Sequence, residues 1–399
     1  MQAIRPGIHH FPAIERVVFG QSAAEAVSAE VQRAGAHRVM LLVSSTLNRS
    51  TDEVRKIERA LGDKHATTVD GVPQHTTRTG VSAAVNAAIK ANTDLVVAIG
   101  GGSVIDAAKM VTLCMRHNMV DEHLEKLDDF EIKVDESGRL VLPAYEGPSV
   151  RMIAVPSTLN GGEYNSGCLV TDTRRKHKQT FGHPLMVPKA IVLPSDITGH
   201  TPPTLWLGSA TRALDHAIEA LLSNTPTPLA DAVVLDGIAR MVRSLRVWKN
   251  DPDSGSARAD CQAASWLCSF GISSRGQYGG VMMGLSHAVG HVLGGTCGVP
   301  HYFCTPVLMP AVLRWLAPAT ADKQCLLAKA LGNEEVSAAD AFGALVKELG
   351  LPASLKDVNV GPAQFEQIAK LAMHEIFIRG SARRVEGPQD IVEILRMAA

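Results

Sequence analysis

A chain of 399 residues, 46% of them hydrophobic, is long enough to bury two cores. Its 39 basic and 40 acidic residues leave a net charge of −1, so no global basic field exists to bind nucleic acid or an anionic membrane, and small molecules are the expected partners. Seven cysteines, odd in number and without a CxxC pair, argue against a disulfide framework or a zinc ribbon. With no charged-then-apolar leader and no bilayer-length apolar run, the chain reads as soluble, unexported and cytoplasmic.

From Val17 to about Asp196 short β-rich runs alternate with helical patterns. Strands are expected at Arg38 to Val43, Leu95 to Ile99, Met152 to Val155 and Ala190 to Leu193, with helices over Ser22 to Arg33, Val81 to Lys90 and Val104 to Met115. This alternation predicts a parallel α/β sheet. The charged stretch from about His117 to Ser149, with Pro143 and Pro148, predicts an irregular surface excursion. After Thr201 the texture becomes Ala/Leu-rich and helical, over Leu205 to Ser223, Leu229 to Val247 and Ala257 to Phe270. The expected organisation is an α/β domain over residues 1–198 followed by an all-α domain over residues 199–399, with no internal repeat.

Chemistry enters at Leu95-Val-Val-Ala-Ile-Gly100-Gly101-Gly102-Ser103-Val-Ile-Asp106-Ala-Ala-Lys109, a buried strand, three glycines, a serine placed as a helix cap, and a helix. Glycines let backbone N–H groups approach an anion, and the helix N-terminus adds partial positive charge, which suits the pyrophosphate of a dinucleotide. No GxGxxG follows the earlier strand ending at Val43, so the cradle is not where an ordinary Rossmann fingerprint would put it.

Gly100 to Lys109 resembles the GGGS-x-x-D-x-x-K signature of the iron-containing alcohol dehydrogenase superfamily. That resemblance implies a dehydroquinate synthase-like fold, in which a dinucleotide-binding α/β domain precedes a helical one. It also implies NAD(H) or NADP(H) as cofactor, held by Ser44, Gly100, Gly101, Gly102, Ser103, Asp106, Ser157, Thr158 and Lys178. Val155-Pro-Ser157-Thr158 is similar to the family's P-T-T, and Lys178 falls where a family lysine approaches the nicotinamide ribose. The loop carrying Gly162-Glu163 is one residue shorter than the alcohol dehydrogenase pattern, which resembles the maleylacetate reductase branch. Ser44-Ser45-Thr46 carries no carboxylate to repel a 2′-phosphate, leaving NADPH open beside NADH.

The second motif is Thr211-Arg212-Ala-Leu-Asp215-His216-Ala-Ile-Glu219, similar to the family's D-x-x-x-H-A-x-E helix, with His287-Ala-Val-Gly-His291 and Pro300-His301 downstream. Fifteen histidines would give about 0.6 chance i,i+4 pairs, so the distance to Gly294-Gly295 and Pro300-His301 carries the argument rather than the pair alone. In metal-dependent relatives the positions of His216, His287 and His301 bind the ion and that of His291 lines the reaction site. Here the remaining ligand, an aspartate, is Arg212, four residues before His216 on the same helical face. Asp215 points about 100° away from His216 and does not simply replace the missing aspartate ligand.

A guanidinium in place of a carboxylate disfavours a divalent ion, so no bound metal is expected. The catalytic set is then Arg212, His216, His287, His291 and His301, with Arg212 polarising a carbonyl or clamping a substrate carboxylate and His291 or His301 donating a proton. The alternative for Arg212 is a structural pair with Asp215, Glu219 or Glu163. Arg383 and Arg275 are further candidates for a carboxylate substrate. The expected activity is reduction of a small carbonyl or unsaturated oxo acid, maleylacetate reductase-like, by a homodimer. The rival readings are an iron- or zinc-dependent alcohol dehydrogenase, a dehydroquinate synthase-like lyase, and a non-catalytic cofactor binder.

Overall fold

The computed structural model describes residues 8–73, 76–135, 140–175, 177–273 and 282–399. Two compact units result, one of residues 11–201 and one of residues 202–399 together with the N-terminal segment through His10.

The first unit holds β1 (Arg16–Phe19), β2 (Val39–Val43), β3 (His65–Asp70), β4 (Leu95–Gly100), β5 (Lys133–Val134), β6 (Leu140–Val141), β7 (Arg151–Pro156), β8 (Gly167–Asp172), β9 (His177–Gly182) and β10 (Ala190–Leu193). Between them run α1 (Ala23–Ala34), α2 (Ser45–Ser50), α3 (Glu53–Leu61), α4 (Arg78–Lys90), α5 (Gly102–His117) and, after β10, α6 (Ser195–Thr198). Six strands form one parallel sheet in the order β1-β10-β7-β4-β2-β3. Every residue of β2, β4 and β10 is buried, the continuous apolar run of a strand covered on both faces.

The chain runs outward from β2 to β3, returns to β4, and then runs outward the other way through β7 and β10. That reversal is a topological switch point, where open parallel sheets bind ligands at the carboxyl ends of their strands. The stretch expected as an irregular excursion contains a 3-10 segment, Asp121–Asp129, and the short β5–β6 pair. Arg78 of α4 fastens it, pairing with Asp128 and with Gln179 of β9, while Phe130 and Tyr145 pack ring to ring at 4.7 Å.

The second unit is built from α7 (Pro203–Leu221), α8 (Pro228–Asn250), α9 (Gly255–Cys268), α10 (Phe270–Ser273), α11 (Leu285–Cys297), α12 (His301–Ala330), α13 (Ala338–Leu349), α14 (Phe365–Ala372) and α15 (Pro388–Met397). No strand occurs in it among the described residues, as its Ala/Leu-rich texture predicts. In α7 every residue from Trp206 to Leu221 is buried, so it is the central helix of the unit, apolar on all sides except where it carries Arg212, Asp215, His216 and Glu219. Of these four ionisable groups, Arg212 pairs with Asp215 inside α7, and α11 and α12 bring donors to Asp215 and Glu219. No described helix is long and apolar enough to cross a membrane.

Candidate active site

In the α/β unit, β4 ends at Gly100 and α5 begins at Gly102, with Gly101 as the N-cap. Ser103 is therefore the second helical residue and not the cap, a correction to the sequence reading. A bare glycine caps here because the turn's backbone, not a side chain, is presented at the helix end. The neighbouring strands supply the flanks: Ser44 N–H donates to the Ile99 carbonyl and Ser157 N–H to the Gly100 carbonyl, both at 2.9 Å. A Cβ added at Gly100 would lie 2.8 Å from Val104 Cγ2, whereas at Gly101 the nearest atom is Thr158 Cγ2 at 3.5 Å and at Gly102 it is Asn160 Nδ2 at 3.3 Å. Ser44, Ser157, Thr158 and Asn160 thus gather around the turn. The first turn of α5 holds no acidic residue, so its positive end is left for an anion.

Asp106 and Lys109 stand apart from that turn. Asp106 Oδ2 accepts from Leu169 N–H of β8 at 3.2 Å, and burial pushes the Asp106 pKa up against the pull of Lys109, that hydrogen bond and Lys178 of β9. Lys109 is fully buried and donates to the carbonyls of Gly162, Asn165 and Gly167 at 2.7, 2.9 and 2.7 Å, holding the loop between β7 and β8. Glu163, 2% exposed on that loop, has its pKa pushed up to about 7 by burial, against the pull of Lys109.

In the helical unit Arg212 Nη1 donates to Asp215 Oδ2 at 2.5 Å and reaches Thr305 Oγ1 at 3.5 Å. Asp215, 0% exposed, also accepts from Thr305 Oγ1 at 2.7 Å and Ser286 Oγ at 3.1 Å on the same oxygen. Arg212 Nε and Nη2 make no hydrogen bond to any described residue. Glu219 caps α11, accepting from the N–H groups of Gly284, Ser286 and His287 at 2.7, 2.7 and 3.4 Å, and from His287 Nδ1 at 2.5 Å. A carboxylate facing a helix N-terminus is stabilised by the aligned N–H groups, and here it also fixes the His287 ring.

The four histidines form a row. His216 stacks on His287 with ring centroids 4.9 Å apart, His287 lies 6.4 Å from His291, and His291 lies 5.8 Å from His301, the first residue of α12. Burial, with His287 and Arg212 nearby, pushes the His216 pKa well below the ordinary histidine value, so this ring is neutral. Phe377 packs edge-on against both His287 and His291, at 5.9 and 5.2 Å.

Two family profiles tile the chain, "Iron-containing alcohol dehydrogenase" over residues 14–195 and "Fe-containing alcohol dehydrogenase family, C-terminal" over residues 208–399. The chain belongs to the iron-containing alcohol dehydrogenase family. It is 28% identical to the maleylacetate reductase of Pseudomonas aeruginosa, over 90% of this chain and 89% of that one. It is 26% identical to the lactaldehyde reductase of Escherichia coli strain K12, over 96% and 98% of the two chains. The crystal structure of maleylacetate reductase from Agrobacterium tumefaciens, 24% identical, superposes with a TM-score of 0.81 over 99% of this chain and 98% of that one. As a member of this family the chain is an oxidoreductase.

The family implies a nicotinamide dinucleotide and, by its name, an iron. The glycine turn fits the first: three glycines, no side chain filling the cradle, and an unneutralised helix end. The helical unit does not fit the second. Among the described residues one group of metal-capable side chains is close-set, Asp215, Glu219 and His287, with ligand atoms within 4.8 Å of one another. Asp215 Oδ2 is already taken by a guanidinium and two hydroxyls and Glu219 by three N–H groups and an imidazole, while Asp215 Oδ1 is buried without a hydrogen-bond partner among the described residues. A dication there would have to displace the donors on Glu219 and lie against the guanidinium that Asp215 already holds.

The sequence-derived set is thus brought together in part. Arg212, His216, His287, His291 and His301 form one cluster, and Ser44, Gly100, Gly101, Gly102, Ser157 and Thr158 form another. Of the candidates for a carboxylate substrate, Arg383 lies 3.9 Å over the Trp315 ring and donates to the Trp315 carbonyl at 2.8 Å, which makes it a packing residue. Arg275 lies outside the described residues. Glu375, whose Oε2 is 3.2 Å from His291 Nδ1, went unread because 84 residues separate the pair. The buried role of Glu219 had a signal in its place on an otherwise apolar helix.

Proposed function

We propose that this oxidoreductase reduces a small oxo acid with NADH or NADPH, in the manner of a maleylacetate reductase, and does so without a bound metal. One observation carries the reading: a guanidinium stands where the metal's carboxylate ligand is expected, with one nitrogen anchored on Asp215 and two uncommitted to the described protein. An arginine held at one end is pre-organised to bind oxygen with the other.

A dinucleotide whose pyrophosphate Gly100, Gly101 and Gly102 would hold would supply hydride from its reduced nicotinamide. The residues of the chain do the rest. Arg212 Nε and Nη2 stabilise the negative charge that grows on the substrate oxygen when a carbonyl or conjugated enone is reduced, the work a Lewis acid does in metal-dependent relatives. His291 or His301 returns a proton to that oxygen or to the adjacent carbon. His216, its pKa lowered by burial, stacks on His287. Both cofactors are accepted because no carboxylate stands at residues 44–46, and Asp70, at the end of the neighbouring β3, is taken by Asn48 and Arg49 at 3.0 and 3.2 Å. The names of the relatives support the substrate class.

A screen of NADH and NADPH oxidation with maleylacetate and small oxo acids, with and without zinc or iron, tests the reading; activity confined to alcohols and dependent on metal would reject it. The Asp215, Glu219 and His287 group favours the metal-dependent alternative, which requires Arg212 to leave Asp215.

A further inference from the structure

The row of histidines ends at a carboxylate supplied by a distant part of the chain. Glu375 follows α14 and begins the segment that leads through Phe377 to Gly380. Its Oε2 lies 3.2 Å from His291 Nδ1, and the two side chains are 30% and 11% exposed. The segment is held in register independently of that contact. A Cβ at Gly380 would collide with the Met283 carbonyl at 1.9 Å, so residue 380 must be glycine to lie against the start of α11, and Asn224 N–H donates to the Gly380 carbonyl at 3.2 Å. Phe377 closes the gap between His287 and His291, its ring edge-on to both. The same six-residue stretch therefore sets the position of the His291 ring by packing and its proton by hydrogen bonding.

We infer that Glu375 is a positioning residue for His291, holding it in the Nδ1–H tautomer so that Nε2 is the nitrogen that exchanges a proton with substrate. The inference rests on the reductase reading given above for the identity of the proton acceptor, but not for the tautomer itself. A carboxylate accepting from one imidazole nitrogen fixes the ring's orientation and dictates which nitrogen carries the mobile proton. Hydride that a bound reduced nicotinamide would supply adds to the electrophilic carbon and leaves an electron pair on the substrate oxygen. The Nε2 proton of the imidazolium passes to that pair. The ring remains as neutral imidazole, its Nδ1–H still donating to Glu375, and Nε2 recovers a proton from water. The nearby titratable groups are His287, one turn earlier on α11, and His301, at the start of α12. Neither contributes a carboxylate, so Glu375 is the anion that selects the tautomer.

The tests are a ¹⁵N-histidine spectrum and steady-state kinetics on the full-length protein and its Glu375→Ala, Glu375→Gln and Glu375→Asp variants. At a pH where the ring is neutral, His291 of the unaltered protein should show a protonated Nδ1 and a bare Nε2, and Glu375→Ala should move population to the Nε2–H form. A bare Nδ1 in the unaltered protein, or a spectrum unmoved by Glu375→Ala, overturns the inference whether or not a substrate has been found. With an oxo acid that the unaltered protein reduces, Glu375→Gln should lower kcat about 10- to 100-fold with KM for the nicotinamide cofactor within twofold. Glu375→Asp should recover most of that loss. Equal falls in all three variants that track a lowered melting temperature would mean the carboxylate only braces the segment, and would also overturn it. An unaltered protein that reduces no oxo acid would sink the reductase reading while leaving the spectrum to decide the tautomer.

Discussion

Removing Arg212 disturbs both the stability of the helical unit and its chemistry, and the Asp215 pairing lets the two be separated. Asp215 is 0% exposed and Arg212 3% exposed, and a single carboxylate oxygen takes the guanidinium at 2.5 Å together with two hydroxyls. Breaking such a pair from one side leaves a buried charge without its partner, at a cost of about 3–5 kcal/mol. Arg212→Ala should lose that much, and more at high pH than at low. Burial already pushes the Asp215 pKa up, and without Arg212 it rises further, so the variant is relatively favoured while the carboxyl is protonated and loses stability as pH rises through that pKa. Asp215→Asn should lose a similar amount by stranding the guanidinium. The double variant carries neither charge and should recover about 3 kcal/mol relative to the sum of the two losses. The assay is urea unfolding followed by tryptophan fluorescence, which reports this unit alone because all four tryptophans, Trp206, Trp248, Trp266 and Trp315, lie in it. Single losses that add in the double to within about 0.5 kcal/mol would refute a coupled buried pair. Turnover then decides the chemistry: the double variant should fold and still turn over about 10²- to 10³-fold more slowly, the cost of losing an oxyanion donor. A double variant that regains full turnover would make Arg212 a structural residue only.

Other outcomes follow from the α/β unit. Gly101→Ala should leave stability almost unchanged, since the nearest atom to the new methyl is at 3.5 Å, yet raise the nicotinamide Kd at least about tenfold by filling the cradle, measured by fluorescence titration of the cofactor. Gly100→Ala, with Val104 Cγ2 at 2.8 Å, should instead cost about 1–3 kcal/mol of folding stability in thermal unfolding. Glu163 has a raised pKa in the folded state, so its contribution to stability is whole below the ordinary value of 4.5 and is lost as pH rises through about 7. Glu163→Gln should therefore flatten the stability profile and gain up to about 3 kcal/mol over the parent at pH 8.5, read by hydrogen exchange in β7 and β8; a parallel profile would refute the buried carboxyl. Lys109→Met should lose at least about 3 kcal/mol, since three carbonyls lose a charged donor at once, and the loss should appear as faster exchange across residues 162–167.

The parts of the fold that could be read from the residues are those whose burial is uniform. Strands β2, β4, β7 and β10 are apolar runs covered on both faces, and α7, α8 and α9 carry Ala/Leu-rich helical patterns, whereas α12 is interrupted by Pro306, Pro310 and Pro318 and by non-helical backbone at Thr320. Strand β3, His65–Asp70, is half-buried along its whole length at the sheet edge and carries no alternation, and β1 at the other edge is similarly ambiguous. Helix α3 hides its core side in three residues, Val54, Ile57 and Leu61, among charges. The site divides the same way. Arg212 and the histidines announce themselves by spacing within one helix or across one turn. The Arg212–Asp215 pair was open to the sequence as one of three structural pairings, but helical geometry fixes where the Asp215 Cα lies and not which donors from α11 and α12 will meet its carboxylate. Glu375 and Thr305 reach the cluster by tertiary packing, which local pattern does not encode.

The central claim is that the reductase chemistry of this chain proceeds on a guanidinium in place of a metal. Its most direct test is turnover of the full-length protein after exhaustive dialysis against a chelator, with metal content measured on the same sample. Undiminished NAD(P)H oxidation with maleylacetate or a small oxo acid, at less than about 0.1 metal ion per chain and unchanged by added zinc or iron, is the result expected. Loss of activity on chelation, restored by stoichiometric metal, would contradict it.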